Sequence, residues 1–274
     1  MRKYSKYILR GLLAVIFMII GIHVISALTV DRRTHYTETI YASPEITADL
    51  DGYVIAFATD THELSAEKLR QIVANVNARN VDLLLLGGDY ARNDGFWQTM
   101  EILGQAKTTD GIYGVDGNHD NYWALYKAMR KYGVTPLDNQ GVYVRPGFYL
   151  AGVPDAWIRD PDVVKATAHA EPVDFVLLLS HNPDVAMQQD TAKVDVMLSG
   201  HTHGGEITFF GLWAPAMFMV SDYGQKFRGG WVKAPNDTAV FVSRGTGVRK
   251  TSRVPLYPRV FAPPEVVYLT LRRE

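Results

Sequence analysis

Residues that bind divalent metals occur in five short groups along this 274-residue chain. Aspartate, asparagine and histidine supply the oxygen and nitrogen ligands that such ions take in proteins. Five of the eight histidines belong to these groups, which are Asp60-Thr61-His62, Gly87-Gly88-Asp89, Gly117-Asn118-His119-Asp120, Ser180-His181-Asn182 and Gly200-His201-Thr202-His203-Gly204-Gly205. Their composition indicates a reaction centre that depends on metal ions.

The five groups differ in how specific each is by itself. Asp60 and His62 flank one residue at a predicted strand end, so the alternation of a strand directs both side chains to one side. Asp89 alone could equally be a turn aspartate, and His181 alone could be a buried histidine without a metal. The histidine pair at 201 and 203, in a turn of small residues, is harder to explain structurally. The prediction therefore rests on all five groups together.

Each group follows an apolar run that predicts a strand, and helical patterns separate the first strands. The predicted strands are 53–59, 81–86, 112–115, 175–179 and 194–198, with two more at 238–242 and 266–271. Ser65 is predicted to cap a helix with apolar residues at helical spacing, and a second helix is predicted at 94–107. Ligands collect at the carboxyl ends of strands in such sheets. The pattern predicts one α/β domain with its site at that edge.

The N-terminal segment is predicted to be a membrane anchor. Gly11 to Val30 carries no formal charge, and a helix of that length spans the roughly 30 Å hydrocarbon core. Four basic residues precede it, which favours an internal N-terminus and an extracytoplasmic domain on an inner or plasma membrane. A cleaved signal peptide and a helix lying on the membrane are the alternatives. We predict an anchor at 1–30, a tether and edge strand at 31–50, and the metal-binding domain at 51–274.

Composition excludes several kinds of site and partner. The chain has no cysteine, which rules out disulfides, thiolate metal sites and cysteine nucleophiles. Subtracting the four basic residues of 1–30 from the 28 in the chain leaves 24 basic against 29 acidic residues. A domain of this charge is not expected to bind nucleic acid, and it needs metal ions or clustered arginines to attract an anionic substrate. No protein partner is predicted.

In this order, the five groups resemble the calcineurin-like metallophosphoesterase superfamily over residues 50–271. The His-Thr-His loop, Ser243–Gly247 and Phe261–Glu265 resemble a bacterial branch of small, often membrane-anchored phosphodiesterases, with relatives that act on lipid A precursors. That branch usually has glutamine where this chain has Glu206. The resemblance implies a four-layer α/β/β/α sandwich of two packed β-sheets flanked by helices, preceded by one transmembrane helix.

The resemblance also implies the roles of individual residues. Metal one would be held by Asp60, His62, Asp89 and His203, and metal two by Asp89, Asn118, His181 and His201. The two divalent ions would be manganese, iron, zinc or magnesium, sharing Asp89 and a hydroxide that attacks phosphorus. His119 would protonate the departing alkoxide, and Asp120 would orient the His119 ring.

Three features around the site carry further expectations. Purple acid phosphatases have a tyrosine three residues after the bridging aspartate. Arg92 at that position predicts no iron–tyrosinate centre, and its side chain either contacts the substrate phosphate or lies on the surface. The apolar run 209–220 is either core packing or an apolar surface beside the metals that contacts an acyl chain or the bilayer surface. The basic stretch from Arg244 to Arg259 is either a solvated loop or a recruiter of phosphate groups, and His23, His35 and His169 receive no role.

The function expected from these observations is a metal-dependent phosphodiesterase that hydrolyses a phosphoester bond, in a soluble or a lipid-linked substrate, at or near a membrane. One alternative is a pyrophosphatase that acts on a lipid-linked nucleotide such as a lipid A precursor. The other is a non-catalytic scaffold that binds metal.

Overall fold

The computed structural model describes residues 2–91, 93–247 and 259–274, and its strands form two six-stranded sheets. Arg92 lies outside the described residues, and so do Arg249, Lys250 and Arg253 of the basic stretch. The first sheet has the order β1-β12-β2-β3-β4-β5 and the second β10-β11-β9-β8-β7-β6. The strands are β1 (His35–Ser43), β2 (Val54–Ala58), β3 (Leu83–Leu86), β4 (Ile112–Gly114), β5 (Thr135–Pro136), β6 (Gln140–Arg145), β7 (Phe148–Gly152), β8 (Phe175–Leu179), β9 (Val196–Ser199), β10 (Gly230–Lys233), β11 (Ala239–Val242) and β12 (Glu265–Arg273).

Parallel pairing gives each sheet one edge at which several strands end together. In the first sheet β2, β3, β4 and β5 are parallel, and β12 runs antiparallel to β2. In the second sheet β7, β8, β9 and β11 are parallel, with antiparallel strands outside them. The predicted metal-binding groups all follow parallel strands, so they are directed to the carboxyl edges of both sheets.

Strand β3 shows how the layers are built. Its four leucines are buried, and alternation directs Leu83 and Leu85 into the core between the two sheets, where Leu177 and Leu198 also lie. Leu84 and Leu86 pack into the core beneath the helices. The helices are α1 (Arg2–Leu28), α2 (Ala66–Arg79), α3 (Gly95–Leu103), α4 (Tyr122–Lys131), α5 (Val163–Ala166), α6 (Val185–Gln188) and α7 (Met217–Val220). The predicted sandwich of two sheets flanked by helices is confirmed.

The edge strand expected within 31–50 is β1, which lies at the edge of the first sheet and pairs with β12 along nine residues from His35 to Ser43. Other elements differ from the sequence prediction. The second predicted helix ends early, at Leu103, because the chain next packs against Tyr132 so closely that a Cβ at Gly104 would lie 2.1 Å from the Tyr132 carbonyl oxygen. Strands β5, β6, β7 and β10 were not predicted. The Ser65 cap was predicted correctly: the Ser65 hydroxyl accepts a hydrogen bond from the Lys68 amide.

One N-terminal helix could span a membrane. The stretch Lys6–Arg32 is long and apolar enough to cross a bilayer, and only 6% of its most apolar 18 residues are buried inside the protein. An almost uncovered apolar helix is unlike the core helix of a globular domain, whose apolar face is packed.

Candidate metal centre

Five loops, each following a parallel strand, converge between the carboxyl edges of the two sheets. Asp60 and His62 follow β2, Asp89 follows β3, and Asn118 follows β4. From the second sheet, His181 follows β8, and His201 and His203 follow β9. Backbone hydrogen bonds tie the loops together, from the Asp60 amide to the Gly88 carbonyl and from the His62 amide to the Asp89 carbonyl. All seven predicted ligand residues are therefore brought to one place.

The first cluster consists of Asp60, His62 and His203, whose ligand atoms lie within 4.8 Å of one another. His203 Nε2 is 3.2 Å from Asp60 Oδ1 and 3.0 Å from His62 Nε2. Asp60 Oδ1 is buried and has no hydrogen-bond partner among the described residues. A buried carboxylate oxygen facing two imidazole nitrogens is the arrangement expected around a cation.

The second cluster lies on the other side of Asp89. His181 Nε2 is 3.4 Å from Asp89 Oδ2, and His201 Nδ1 is 3.0 Å from Asn118 Oδ1 and 3.3 Å from His181 Nε2. Asp89 Oδ2 is also 3.8 Å from His62 Nε2 in the first cluster. One carboxylate oxygen therefore faces both clusters.

The outward-facing nitrogens of the three histidines from the second sheet have their own partners. His181 Nδ1 is 2.7 Å from the Gly87 carbonyl oxygen, and His201 Nε2 is 3.0 Å from the Val220 carbonyl oxygen. His203 Nδ1 lies 3.5 Å from the carboxylate of Glu206. At His181 and His201 the carbonyl partner fixes ring orientation and tautomer, as in metal sites where the distal ring nitrogen is hydrogen-bonded.

The backbone is left-handed at most of these positions. The φ angles of Asp60, His62, Asp89, His201 and His203 are 53°, 43°, 55°, 67° and 52°. Residues other than glycine seldom adopt this region, and such conformations concentrate at functional sites, where surrounding structure holds them. The strain supports the interpretation that these loops are shaped for a site.

Two glycines allow the loops to approach the carboxylates closely. A Cβ at Gly117 would lie 2.3 Å from Asp89 Oδ1, and one at Gly200 would lie 2.2 Å from Asp60 Oδ2. Neither position has room for a side chain, so the glycines in these two groups are explained by packing against the candidate ligands.

Charges within the cluster are balanced against burial. Burial alone would raise the pKa of the Asp60 carboxyl, but His203 and His181 outweigh it and lower that pKa. Asp89 shows the same balance, with His181 as its main partner. Burial lowers the pKa values of His62 and His201 to about 3 each. At neutral pH, the carboxylates are therefore ionised and these two imidazoles neutral, which are the forms of these groups that bind metal. Burial would lower the pKa of His181, but the carboxylates of Asp89 and Asp60 outweigh it and raise that pKa.

Comparison with known proteins assigns the chain to a family. A model of the calcineurin-like phosphoesterase family matches residues 53–205, which include all seven candidate ligands. The chain belongs to this family. It is therefore a metallophosphoesterase, a hydrolase of phosphoesters, and its family typically binds divalent metals at acid and histidine clusters of this kind.

Three relatives show how far the similarity of this metallophosphoesterase extends. A protein described as an uncharacterized metallophosphoesterase of Bacillus subtilis is 29% identical over 253 residues, covering 86% of this chain and 85% of that protein. One with the same description from Helicobacter pylori is 30% identical, covering 79% of this chain and 59% of that protein. A transmembrane protein with metallophosphoesterase domain from Danio rerio is 31% identical, covering 72% of this chain and 49% of that protein. The alignments thus span 59% and 49% of the last two relatives, respectively.

His119 and Asp120 occupy different positions in the phosphoesterase site. The His119 amide donates to Asp89 Oδ1 at 2.8 Å, and its ring lies 5.8 Å from the His62 ring at the site. Asp120 Oδ2 accepts from the amides of Asp89 and Gly117, and Oδ1 accepts from the amide of Tyr90. These contacts tie two loops together, so the predicted task of orienting the His119 ring does not follow from them.

Sequence reasoning missed three residues at the site. Asp155, fully buried after β7, has ligand-type atoms within 4.8 Å of those of His181 and His201, and burial raises its pKa to about 6. The Trp157 ring lies edge-on, 4.4 Å from that of His201. Asp155 follows a buried strand as the predicted ligands do, so recognising β7 would have found it.

Arg259 is the third residue whose place at the site was missed. Its side chain is 1% exposed, and Nη2 lies 3.2 Å from His203 Nδ1. Nη1 donates to the carbonyls of Arg244 and Ala262, and Arg244 pairs with Glu265. Arg259 therefore supports the His203 loop from inside the domain, and neither a solvated loop nor phosphate recruitment describes it.

The site opens into a pocket of about 130 Å³. Its walls combine candidate ligands with polar and apolar neighbours, namely His62, Asp89, Asn118, His119, Trp157, His201, Thr202, His203, Gly205, Glu206, Ala216 and Val220. The pocket thus joins the metal clusters to the apolar run 209–220.

Proposed function

We propose that the protein is a metal-dependent phosphodiesterase that uses two divalent ions and acts at a membrane. The observation that carries the proposal is the position of Asp89, whose Oδ2 faces His62 at 3.8 Å and His181 at 3.4 Å. A carboxylate oxygen that faces histidines of two clusters is suited to bridging two ions.

The donor atoms fit such a pair. Asp60, His62, Asp89 and His203 would hold one ion, and Asp89, Asn118, His181 and His201 the other. Oxygen and imidazole ligands without thiolate suit manganese, iron, zinc or magnesium. When bound, the ions supply Lewis acidity, lowering the pKa of water and neutralising charge on the phosphate. Asp60 Oδ1 accepts no hydrogen bond among the described residues, which supports a cation there, because buried charges are paired or coordinate metals.

His119 is proposed to be the proton donor. In hydrolysis, a water oxygen bonds to phosphorus while the bond from phosphorus to the leaving oxygen breaks, and that oxygen must gain a proton. The ring of His119 borders the pocket and belongs to neither ligand cluster. Asp120 contributes by holding the loops of Asp89 and Gly117 together, which positions His119 through the Asp89 bond to its amide.

The membrane placement follows from the N-terminal helix. Basic residues precede its apolar stretch in excess over those that follow, which supports an extracytoplasmic domain. The exposed apolar residues beside the pocket favour a second candidate, a pyrophosphatase for a lipid-linked nucleotide. That candidate requires the domain on the cytoplasmic face, so a reporter fused after Glu274 separates the two. A non-catalytic scaffold remains the third candidate.

The test is hydrolysis by the full-length protein in detergent. Bis-p-nitrophenyl phosphate and the monoester p-nitrophenyl phosphate are supplied with manganese, iron, zinc or magnesium. We expect faster cleavage of the diester, loss of activity with chelator, and recovery when the metal is restored. Absence of cleavage with every metal would overturn the enzymatic proposal, and preference for the monoester would overturn the diester assignment.

A further inference from the structure

The segment from Ile207 to Val220 is uncharged and unusually exposed for its composition. Leu212, Phe218 and Met219 are 76%, 67% and 78% exposed. Ile207, Phe209, Phe210 and Trp213 are exposed as well. Large apolar surfaces of this kind mark contacts with proteins or membranes rather than with water. Core packing, one of the two expectations for this run, therefore applies only to inner residues such as Ala214 and Met217.

This apolar segment lies against the end of α1. The ring of His23 is 5.5 Å from that of Phe209, 4.7 Å from Phe210 and 5.0 Å from Phe261. Asp31, just beyond the helix, accepts hydrogen bonds from the amides of Phe261 and Ala262 and from the Ser26 hydroxyl. Asp31 is 4% exposed, so the junction is packed, and it fixes the domain relative to the anchor.

The junction sets the depth of the segment if α1 crosses a membrane. His23 lies five residues before Leu28, the end of α1, which corresponds to about 7 Å along the helix. The phenylalanines that contact His23 lie at the same level as its ring. When Gly11–Val30 fills the hydrocarbon layer, Phe209 and Phe210 lie inside its edge, and the headgroups surround the adjoining residues.

The opposite face of the same segment belongs to the metal pocket. Ala216 and Val220 line the pocket, and the Val220 carbonyl oxygen is the partner of His201 Nε2. The Gln225 side chain bonds both the amide and the carbonyl of Ala214, which holds the segment in place. One face is therefore directed to the candidate ligands, and the other carries the exposed apolar side chains.

We propose that residues 207–220 are a second membrane contact, inserted into the bilayer beside α1, so that the metal pocket opens at the level of the phospholipid headgroups. The occupant of this surface is the bilayer, because the segment adjoins the anchor at its level in the membrane. The inference rests on the proposed membrane placement. It goes beyond that placement by specifying how the pocket is oriented and that phosphoesters resident in the bilayer reach it without leaving the membrane.

Fluorescence quenching tests the contact without requiring activity. The full-length protein is inserted into vesicles of phosphatidylcholine and phosphatidylglycerol, with or without bromine on the phosphatidylcholine chains. The difference in fluorescence between the wild type and Trp213→Phe gives the emission of Trp213. Brominated lipid should quench most of that emission. The control is Val173→Trp in the Trp213→Phe background, because Val173 is 81% exposed but precedes β8, at the amino end opposite the site. That tryptophan should remain unquenched.

Two substitutions test the consequence for substrate access. Leu212→Glu and Met219→Glu should reduce bromolipid quenching and slow cleavage of dioleoylglyceryl p-nitrophenyl phosphate in vesicles severalfold. Cleavage of soluble bis-p-nitrophenyl phosphate should be unchanged, and Val173→Glu should affect neither substrate. If the wild type cleaves neither diester, the proposed function fails while quenching still decides the contact. Unquenched Trp213 in an inserted protein, or its burial in a cross-linked dimer, would overturn the inference.

Discussion

Strand β3 and the loop that follows it contrast two kinds of structure within seven residues. Leu83 to Leu86 form extended backbone with four buried apolar side chains. Asp89 has a φ of 55° and a buried carboxylate that faces two imidazoles. The strand is stabilised by apolar burial, which depends on side-chain volume and little on exact chemistry. The loop holds strain and buried charge, so it depends on specific atoms.

The contrast extends to both sheets. The interior between them is built from aliphatic and aromatic side chains, whereas five of the seven candidate ligand residues have a left-handed backbone conformation. Contacts distant in sequence compensate for that strain, among them the Asp120 bonds to the Asp89 loop and the Arg259 contact with His203. This teaches that the site is a property of the assembled domain. No single loop forms it alone.

The largest effect is expected for Asp89→Asn. Asparagine tolerates positive φ and can still accept from the His119 amide, but an amide nitrogen would replace Oδ2. Diesterase activity should fall by more than about 10³-fold, beyond the effect of removing a single stabilising donor. Metal content by mass spectrometry should fall with it.

Leu85→Ala is the matched substitution in the strand. It should lower the free energy of unfolding by about 2–5 kcal/mol and leave the activity of each folded molecule unchanged. If Asp89→Asn and Leu85→Ala changed activity and the free energy of unfolding to the same extent, the distinction between strand and loop would be wrong.

A smaller, substrate-dependent effect is expected for His119→Ala. Loss of a proton donor should slow diesters with poor leaving groups by about 10²–10⁴-fold. Bis-p-nitrophenyl phosphate should be affected far less, because nitrophenolate departs without a proton. Both ions should remain bound. The control His169→Ala, at an exposed histidine outside the five groups, should change neither diester cleavage nor metal content. Equal losses on both substrates, with one ion missing, would make His119 a ligand.

The smallest effect concerns Asp195, at the amino end of β9. Burial, together with the carboxylate of Glu45, raises its pKa to about 7, and Oδ2 accepts from the Val176 amide. Because this pKa exceeds the unfolded value of about 4, the stability contribution is complete at low pH and is lost as pH rises through about 7. Urea unfolding should therefore show that Asp195→Asn gains stability over wild type between pH 5 and pH 8. A difference independent of pH would contradict this.

Sequence patterns predicted those parts of the fold and site that depend on local residues. The buried parallel strands were recognisable from apolar runs such as 81–86, and the candidate ligands from the polar residues that follow them. Strand β6 was missed because its sequence lacks a continuous apolar run, whereas β7 was overlooked although Phe148–Gly152 is an apolar run that follows Pro146-Gly147 and precedes Pro154. Asp155 was missed with them.

Other features arise only from long-range contacts. Arg259 is 56 residues from its contact His203, and nothing in its neighbourhood indicates burial. The bonds of Asp120 to the Asp89 loop depend on how two parallel strands align. The docking of His23 against Phe209 joins opposite ends of the chain. Periodicity and spacing do not report such contacts.

Electron paramagnetic resonance of the manganese-loaded, full-length protein tests the central claim most directly. If Asp89 joins two clusters into one centre, two manganese ions should bind each chain and give the multiline spectrum of a spin-coupled pair. One ion per chain, or two ions with the spectrum of isolated manganese, would contradict the account.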